Sequence, residues 1–356
     1  MSRNALAQFV QVFCRPTLTG ALWFACQQVP AADLPLRKPA GTRAYVLSVE
    51  NPNATHQYQP NAAYVQAMVN RGITNFTGKT TVAAAWRSLV SKQDVVGIKV
   101  YSAAGPISGT RPAVVAAVIH GLLDAGVPLE HVIIWDRHVD DLRAAGFSKL
   151  AAQLGVRVAG STEAGYDPTN FYLPNAPIIG QLVWGDIEFG KKGPDIGKKS
   201  FISKLLSRQI TKIISVAPLL NQDSAGVYGH LYGLAMDSVD NTMRFEGDPE
   251  RLAVAVPEIY ALPALGDRVV LNITDALIGQ YEGGAKGLLQ YSTVLNQLWF
   301  SHDPVALDTL AVRELDRERQ IIEAPGFKPN PELYANAALL QLGVNDPARI
   351  QVDKIR

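Results

Sequence analysis

The chain has 356 residues, 47% of them hydrophobic and 18% charged, which excludes a disordered protein and suits one large α/β domain or two closely packed lobes. It carries 33 basic and 32 acidic residues, a formal net charge of +1, so the overall charge favours neither nucleic acid nor an anionic membrane as a partner. A small anionic ligand would therefore have to be bound by a local cluster of charged side chains.

Residues 1–40 come first and hold both cysteines, Cys14 and Cys26. With only two thiols, an iron–sulfur cluster or a zinc ribbon is not expected. The segment is fairly apolar but is interrupted at Arg15 and Pro16, and no apolar stretch of about 20 residues follows, so we expect no integral membrane span. It is interpreted either as a packed N-terminal helix or as a degenerate export signal. A soluble protein, cytoplasmic or exported to the periplasm, follows from these two interpretations.

From residue 41 to 160 the sequence alternates between apolar strands and helices. The pattern predicts strands at 42–50, 94–102, 131–136 and 156–161, and helices at 61–72, 81–91, 111–126 and 138–146. Strands that are apolar throughout are typical of a parallel sheet covered on both faces. We therefore expect a layered α/β fold, with a mostly parallel sheet between helices, in which residues 41–160 could form a first lobe.

Residues 161–199 interrupt this alternation. Their Asp-Pro, Leu-Pro and Ala-Pro turns predict an irregular excursion, and the run GKKGPDIGKK at 190–199 is typical of a solvated loop. Residues 200–356 could then form a second lobe, packed closely on the first. Its predicted elements are strands at 211–218, 267–277 and 297–304, helices at 305–319 and 330–343, and an edge strand at 349–355.

Polar residues that follow apolar strands are the candidates for a functional site, because open α/β sheets bind ligands beyond the carboxyl ends of their strands. Two acids near the Gly283-Gly284 turn could act as metal ligands or as acid and base. For most of these residues, a capping or surface role is the alternative. The candidate catalytic residues are Asp136, Asp275 and Glu282; the candidate ligand-binding residues are Lys99, Thr110, Arg111, Arg137, Asp223 and His230; and the candidate metal ligands are His302 and Asp303.

The loop between the strand at 94–102 and the helix at 111–126 is the strongest anion-site candidate. Thr110 is a suitable N-cap, Pro112 suits the first helical turn, and the free N–H groups of a helix start attract anions. Arg111 could add a bidentate grip on a carboxylate or phosphate. The loop has neither the phosphate-loop nor the dinucleotide-binding glycine pattern. The alternative is a well-capped helix with Arg111 on the surface.

Several segments between residues 94 and 345 occur in a characteristic order: VVGIKV, TRPAVVAAVIHGLLDAG, VIIWDR with LRAAGF, TKIISVAPLL, AGVYGHLYGLAMDSVDNTMRF, LNITDALIGQYEGG and HDPVALDTLA. In this order they resemble the DUF362 family. Many members of that family carry ferredoxin-type cysteine segments and are associated with redox roles, but this chain lacks those cysteines. Members tend to have a Lys and a His after the strand at 211–218 and a Lys-Asn pair downstream, where this chain has Asn221, Asp223 and Tyr232-Gly233.

The Thr-Arg-Pro helix start is also similar, over about one βαβ unit, to the N-terminal half of the nickel-pincer lactate racemases. There, such an arginine faces a small carboxylate substrate, whereas the metal-site histidines of those enzymes have no counterpart in this sequence. The likeness favours a small anion near Arg111.

We therefore expect a DUF362-type protein that binds a small anionic or carboxylate-bearing ligand at the carboxyl edge of its sheet. Lys99 and Arg111 would hold the anion, and Asp136, Asp275 and Glu282 would complete the pocket, with a divalent metal as an optional cofactor. An enzyme of undefined reaction is the leading hypothesis. A non-catalytic binding or assembly protein, such as a homo-oligomeric scaffold, and a redox-associated protein with an external cofactor are the alternatives.

Overall fold

The computed structural model describes residues 43–322 and 330–356. The predictions for residues 1–40, including Cys14 and Cys26, lie outside these residues. The strands are β1 (Ala44–Glu50), β2 (Thr55–His56), β3 (Gln59–Pro60), β4 (Val96–Lys99), β5 (Val132–Asp136), β6 (Arg157–Gly160), β7 (Tyr166–Tyr172), β8 (Ser200–Ser203), β9 (Lys212–Gln222), β10 (Gly226–Val227), β11 (Val269–Gln280), β12 (Ser292–Ser301) and β13 (Ile350–Ile355).

The helices alternate with the strands as the sequence predicts for much of the chain. They are α1 (Ala62–Thr77), α2 (Val82–Arg87), α3 (Gly105–Ser108), α4 (Pro112–Asp124), α5 (Val139–Ala144), α6 (Phe147–Leu154), α7 (Ser161–Ala164), α8 (Lys204–Arg208), α9 (His230–Ser238), α10 (Met243–Glu246), α11 (Pro249–Tyr260), α12 (Pro304–Ile321) and α13 (Glu332–Leu339).

One large sheet forms the centre of the described residues. Its strand order is β13-β1-β12-β11-β9-β4-β5-β6, with β10 paired to β9. Neighbours pair in parallel except where β12 runs antiparallel to β1 and β11 and where β10 runs antiparallel to β9. The predicted layered α/β fold with a mostly parallel sheet is confirmed. β13, predicted as an edge strand, lies at the edge of the sheet.

Helices cover both faces of this sheet. Successive side chains of a strand point to opposite faces, so both faces carry apolar groups that the helices bury. In β5, Val132 and Ile134 pack into the core formed with α1, α2 and α4. Ile133 and Trp135 point the other way, into the core formed with α8, α9, α11 and α13. β5 is buried at every position, which is why it reads as a continuous apolar run.

The sheet contains strands from both lobes that the sequence suggested. β1 and β4–β6 come from residues 41–160, and β9 and β11–β13 come from residues 200–356. Since one sheet joins them, the two ranges form one folded body. The irregular excursion is shorter than predicted, because 161–164 form α7 and 166–172 form β7, which pairs with β8; the irregular part is 173–199.

The chain changes direction across the sheet at β4. From β4 it moves outward through β5 to β6, and it then returns to place β9 on the other side of β4 before continuing to β11. The boundary between β4 and β9 is therefore a topological switch point, the place where open α/β sheets commonly bind ligands. No helix of the described residues is long and apolar enough to cross a membrane.

Candidate functional site

Three ionisable side chains meet below the switch point. The ammonium of Lys99, the last residue of β4, lies 2.9 Å from Oδ1 of Asp136 and 2.8 Å from Oδ2 of Asp237. Asp136 ends β5, and Asp237 lies in the last turn of α9, so three elements converge. Ser102 donates to Oδ2 of Asp136 from its backbone N at 2.7 Å and its hydroxyl at 2.6 Å. Lys99, Asp136 and Asp237 are called the switch-point cluster below.

Burial and mutual attraction shift the pKa values of the three groups of the switch-point cluster in different ways. Burial opposes the charge of Lys99, but attraction by Asp136 and Asp237 outweighs it and raises the pKa of the ammonium. Burial also opposes the charge of Asp136, yet Lys99 and the hydrogen bonds lower the pKa of that carboxyl. One ammonium cannot neutralise a second buried carboxylate as well, and burial raises the pKa of Asp237 to about 7. Such a carboxyl group is suited to act as a general acid or base.

Arg137 follows Asp136 of the cluster in the chain, and its side chain is 24% exposed. Its Nη1 donates to Oγ1 of Thr242 at 3.1 Å and lies 3.5 Å from Oε1 of Glu246. In the part of the chain that the structure describes, Nε and Nη2 make no hydrogen bond. Burial opposes the charge of Arg137, but the nearby Asp237 carboxylate outweighs it and raises the pKa of the guanidinium. Arg137 is therefore a charged group with N–H donors available for an anion.

Three tyrosines lie near Asp237 of the cluster. The rings of Tyr101 and Tyr228 are stacked with centroids 4.1 Å apart, and Tyr232 meets Tyr228 edge-on at 5.5 Å. A cavity of about 10 Å³, lined by Lys99, Tyr101 and Ser215, has room for one water. This cavity is too small for a larger ligand.

Arg111 is buried and has a structural role, whereas the alternative from the sequence placed it on the surface. Its backbone N donates to Oδ2 of Asp275 at 2.9 Å, and its Nη1 donates to Oδ1 at 3.0 Å. Nη2 donates to the carbonyls of Ile107 and Ile278, both at 3.0 Å. Arg111 is 1% exposed, so its charge is matched within the chain. This pair fixes the loop before α4 to the middle of β11.

The Thr110 N-cap prediction is wrong by one residue. The N-cap of α4 is Arg111. Its backbone N–H is bound by the carboxylate of Asp275, which lies in β11. The hydroxyl of Thr110 accepts from the N–H of Tyr101 at 2.9 Å and donates to the Val216 carbonyl at 2.7 Å, which ties the loop to β9. Pro112 is the first residue of α4, as its sequence position predicts.

His230 lies inside the fold at the start of α9. Its ring nitrogens lie 2.8 Å from the hydroxyl of Ser215 and 3.0 Å from that of Thr274. Burial lowers its pKa to about 3, so the ring is neutral. The carboxylate of Asp308 accepts from the N–H groups of His230 and Leu231 at 2.7 and 2.8 Å and thus holds the N-terminus of α9.

Of the two acids predicted near the glycine turn, Asp275 is bound to Arg111 and Glu282 lies 3.6 Å from Nε of Arg319, on α12. Neither of them forms an ion pair with Lys99 of the switch-point cluster. Asp223 is exposed and accepts from the amide of Asn221 at 3.3 Å. Asn221 also accepts from the N–H of Gly284 at 3.0 Å, so the loop after β9 and the glycine turn after β11 are connected.

The expectation that His302 and Asp303 end a strand at the carboxyl edge is wrong. β12 runs antiparallel, and Ser301 at its end pairs with Asn272 near the start of β11, so both residues lie at the opposite edge. Nδ1 of His302 lies 2.9 Å from the Val270 carbonyl. Asp303 caps α12 by accepting from the N–H of Ala306 at 2.8 Å. In residues 43–322 and 330–356, no group of three His, Cys, Asp or Glu side chains is placed to hold a metal ion.

Asp237, Thr242, Glu246 and Tyr228 were missed by the sequence analysis. The sequence does contain an indication of Asp237, because it is the one acid in the mostly apolar segment HLYGLAMDS. It lies seven residues after His230, two helical turns away, so both side chains share one face of a helix. That face points at the sheet, where an acid needs a cationic partner.

Comparisons with known proteins add little to this geometry. No protein-family model matches the chain. No curated protein is significantly similar to it. A crystal structure of a protein from Thermotoga maritima is similar with a TM-score of 0.40 and 11% sequence identity, over 73% of this chain and 59% of that one. The chain thus corresponds to less than two thirds of that protein's length, and the site is argued from its own geometry.

Proposed function

We propose that the chain is a DUF362-type enzyme that binds a small carboxylate-bearing or otherwise anionic molecule at the switch point. Arg137 would hold the anionic group, and Asp237 would give a proton to the bound molecule or take one from it. The observation that carries this proposal is the position of the partly exposed Arg137 near the buried carboxyl of Asp237. Nε and Nη2 of Arg137 make no hydrogen bond within the described residues. Asp237 shares the ammonium of Lys99 with Asp136.

The assignment of roles differs from the expectation that Lys99 and Arg111 hold the anion. Both cations are matched by carboxylates from within the chain at 2.8–3.0 Å. An anion that replaced Asp275 at Arg111 would leave a buried carboxylate unpaired, which is strongly unfavourable. An anion at Arg137 carries a smaller cost, because Arg137 and its partner Glu246 are both partly exposed and their ion pair is longer, at 3.5 Å. Lys99 would instead keep Asp136 ionised and set the pKa of Asp237.

The proposed chemistry is proton transfer within a largely buried site. A neutral Asp237 can donate its proton to an oxygen of the bound molecule, and the ionised form can accept one. The low local dielectric strengthens the interaction of Arg137 with an anion. The phenol groups of Tyr101, Tyr228 and Tyr232 can donate further hydrogen bonds. Burial raises their pKa values, so they remain protonated.

Thermal unfolding in the presence of acetate, lactate, succinate or inorganic phosphate tests the proposal. At least one of these anions at millimolar concentration should raise the Tm of the wild-type chain by a few degrees. Arg137→Met should abolish that rise, and Asp237→Asn should change its pH dependence. Arg143→Met, which alters an exposed arginine of α5, is the matched control and should retain it.

The same experiment also bears on the assembly alternative. A Tm that no anion changes, or a rise that survives in Arg137→Met, contradicts the proposed site. A stable multimer in that case would favour the assembly alternative.

A further inference from the structure

The segment 173–199 exposes large apolar side chains to solvent. Trp184 is 86% exposed, Ile179 is 70% exposed and Phe189 is 47% exposed. Trp184 and Phe189 contact each other edge-on, with ring centroids 5.5 Å apart. Exposed tryptophans are uncommon on a folded domain, and a pair of neighbouring exposed aromatics usually marks an interaction surface.

The exposure is built into the fold, because the backbone around the aromatics is firmly anchored. Asp186 accepts from the N–H groups of Val183 at 2.6 Å and Asn241 at 2.8 Å. Asp240 accepts from the N–H of Ile187 at 2.7 Å. The turn that presents Trp184 is thus tied on both sides to the connection between α9 and α10. These hydrogen bonds hold the backbone of the turn in place while the indole of Trp184 stays exposed.

Two exposed lysines follow Phe189 closely in the chain. Lys191 and Lys192 are exposed, and within residues 43–322 and 330–356 neither ammonium pairs with a carboxylate. The acids of the segment have partners of their own, since Glu188 accepts from the N–H of Gly197 at 2.9 Å and Asp195 pairs with Lys198 at 2.8 Å. Trp184, Phe189, Lys191 and Lys192 are called the aromatic–lysine patch.

We propose that the aromatic–lysine patch binds the surface of an anionic lipid bilayer. Indole rings prefer the boundary between headgroups and acyl chains, and lysines near them are attracted by anionic headgroups. Two unpaired lysines beside two exposed rings provide both parts of that interaction. The near-neutral overall charge does not oppose it, since the attraction acts within about a Debye length of the surface. The proposal does not depend on the proposed function of the switch-point cluster.

Vesicle binding of the purified full chain tests the proposal. The wild-type chain should sediment with phosphatidylglycerol–phosphatidylcholine vesicles at low salt and should bind much less to pure phosphatidylcholine. Trp184 should move to an apolar environment, which shifts its fluorescence to shorter wavelength. The other tryptophans of the described residues, Trp86, Trp135 and Trp299, are buried, so the difference between wild type and Trp184→Phe isolates this signal.

Charge reversal provides the matched comparison. Lys191→Glu/Lys192→Glu should lower the partition coefficient at least about tenfold. Lys79→Glu/Lys92→Glu changes the net charge equally at two other exposed lysines and should have a much smaller effect. Equal losses in the two double variants, or no binding of the wild type to anionic vesicles, would overturn the proposal. It would also be overturned by a dimer that Trp184→Ala dissociates without any vesicle binding, because the patch would then contact a second copy.

Discussion

At the Lys99 ammonium, two carboxylates compete for one positive charge. Asp136 has the additional donors of Ser102 and stays ionised, whereas burial raises the pKa of Asp237 from 3.8 to about 7. A carboxyl whose pKa is higher in the folded state than in the unfolded state binds more protons when folded. Its contribution to stability is therefore complete below about pH 4 and is lost as the pH rises towards 7.

Asp237→Asn should flatten the pH dependence of stability between about pH 4 and pH 7. Asparagine cannot ionise, so the variant should lose less free energy of unfolding over this range than the wild type, by a difference on the order of 1–3 kcal/mol. Urea denaturation at several pH values measures it. Asp308, Asp303 and Asp240 also have raised pKa values and remain in both chains, so only the difference is informative. Parallel pH profiles would show that Asp237 does not titrate in this range.

Arg111 gives a second prediction at this scale. Arg111→Met should lower the free energy of unfolding by about 3–5 kcal/mol, because it leaves the carboxylate of Asp275 buried without its cation. Replacing both partners, as in Arg111→Met/Asp275→Leu, should recover part of that loss. Denaturant unfolding measures both, with Arg143→Met as the surface control. A loss below about 1 kcal/mol in the single variant would contradict the role of this pair as a structural strut.

Among the helices, α9 connects the interior of the sheet to the switch-point cluster. Asp308 holds its first turn and Asp237 lies in its last, so the position of the acid depends on how the helix is fixed at the other end. Sequence patterns did not reveal this helix. It is buried at most positions and contains Gly233, so it lacks the one-sided apolar period by which surface helices are recognised.

Asp308→Ala should destabilise the protein by about 1–2 kcal/mol and weaken anion binding, since two N–H groups lose their acceptor. The matched control is Asp248→Ala, which removes the N-cap of α11, where Asp248 accepts from Glu250 and Arg251. It should cost a similar amount of stability and leave anion binding unchanged. Equal effects of the two variants on binding would mean that α9 does not position the site.

The strands show which parts of the fold the sequence can predict. Apolar runs identified β1, β4–β6, β9 and β11–β13, because each run must be buried in the sheet. The direction of β12 was not predictable, since an antiparallel strand inside a mostly parallel sheet has the same apolar pattern. Because β12 runs antiparallel to β11, His302 and Asp303 lie at the edge opposite the carboxyl ends of the parallel strands. Asp303 nevertheless caps α12, which its position before Pro304 does predict.

Over the whole molecule, the topology explains why the cluster forms where it does. The chain leaves β4 in one direction and returns beside it as β9. Lys99, Asp136 and Asp237, which come from three elements, meet at this switch point. The sequence placed Lys99 and Asp136 at neighbouring strand ends. It could not show that Arg111 and Asp275 satisfy each other, because that depends on a contact between residues 164 positions apart.

Native mass spectrometry of the full chain can detect an anion bound at Arg137 beside Asp237. With acetate, lactate, succinate and inorganic phosphate offered in turn, at least one should bind as one anion per wild-type chain. Arg137→Met should lose that adduct, and Arg143→Met should keep it. No adduct with any of the four anions, or one that persists unchanged in Arg137→Met, would show that Arg137 does not form an anion site.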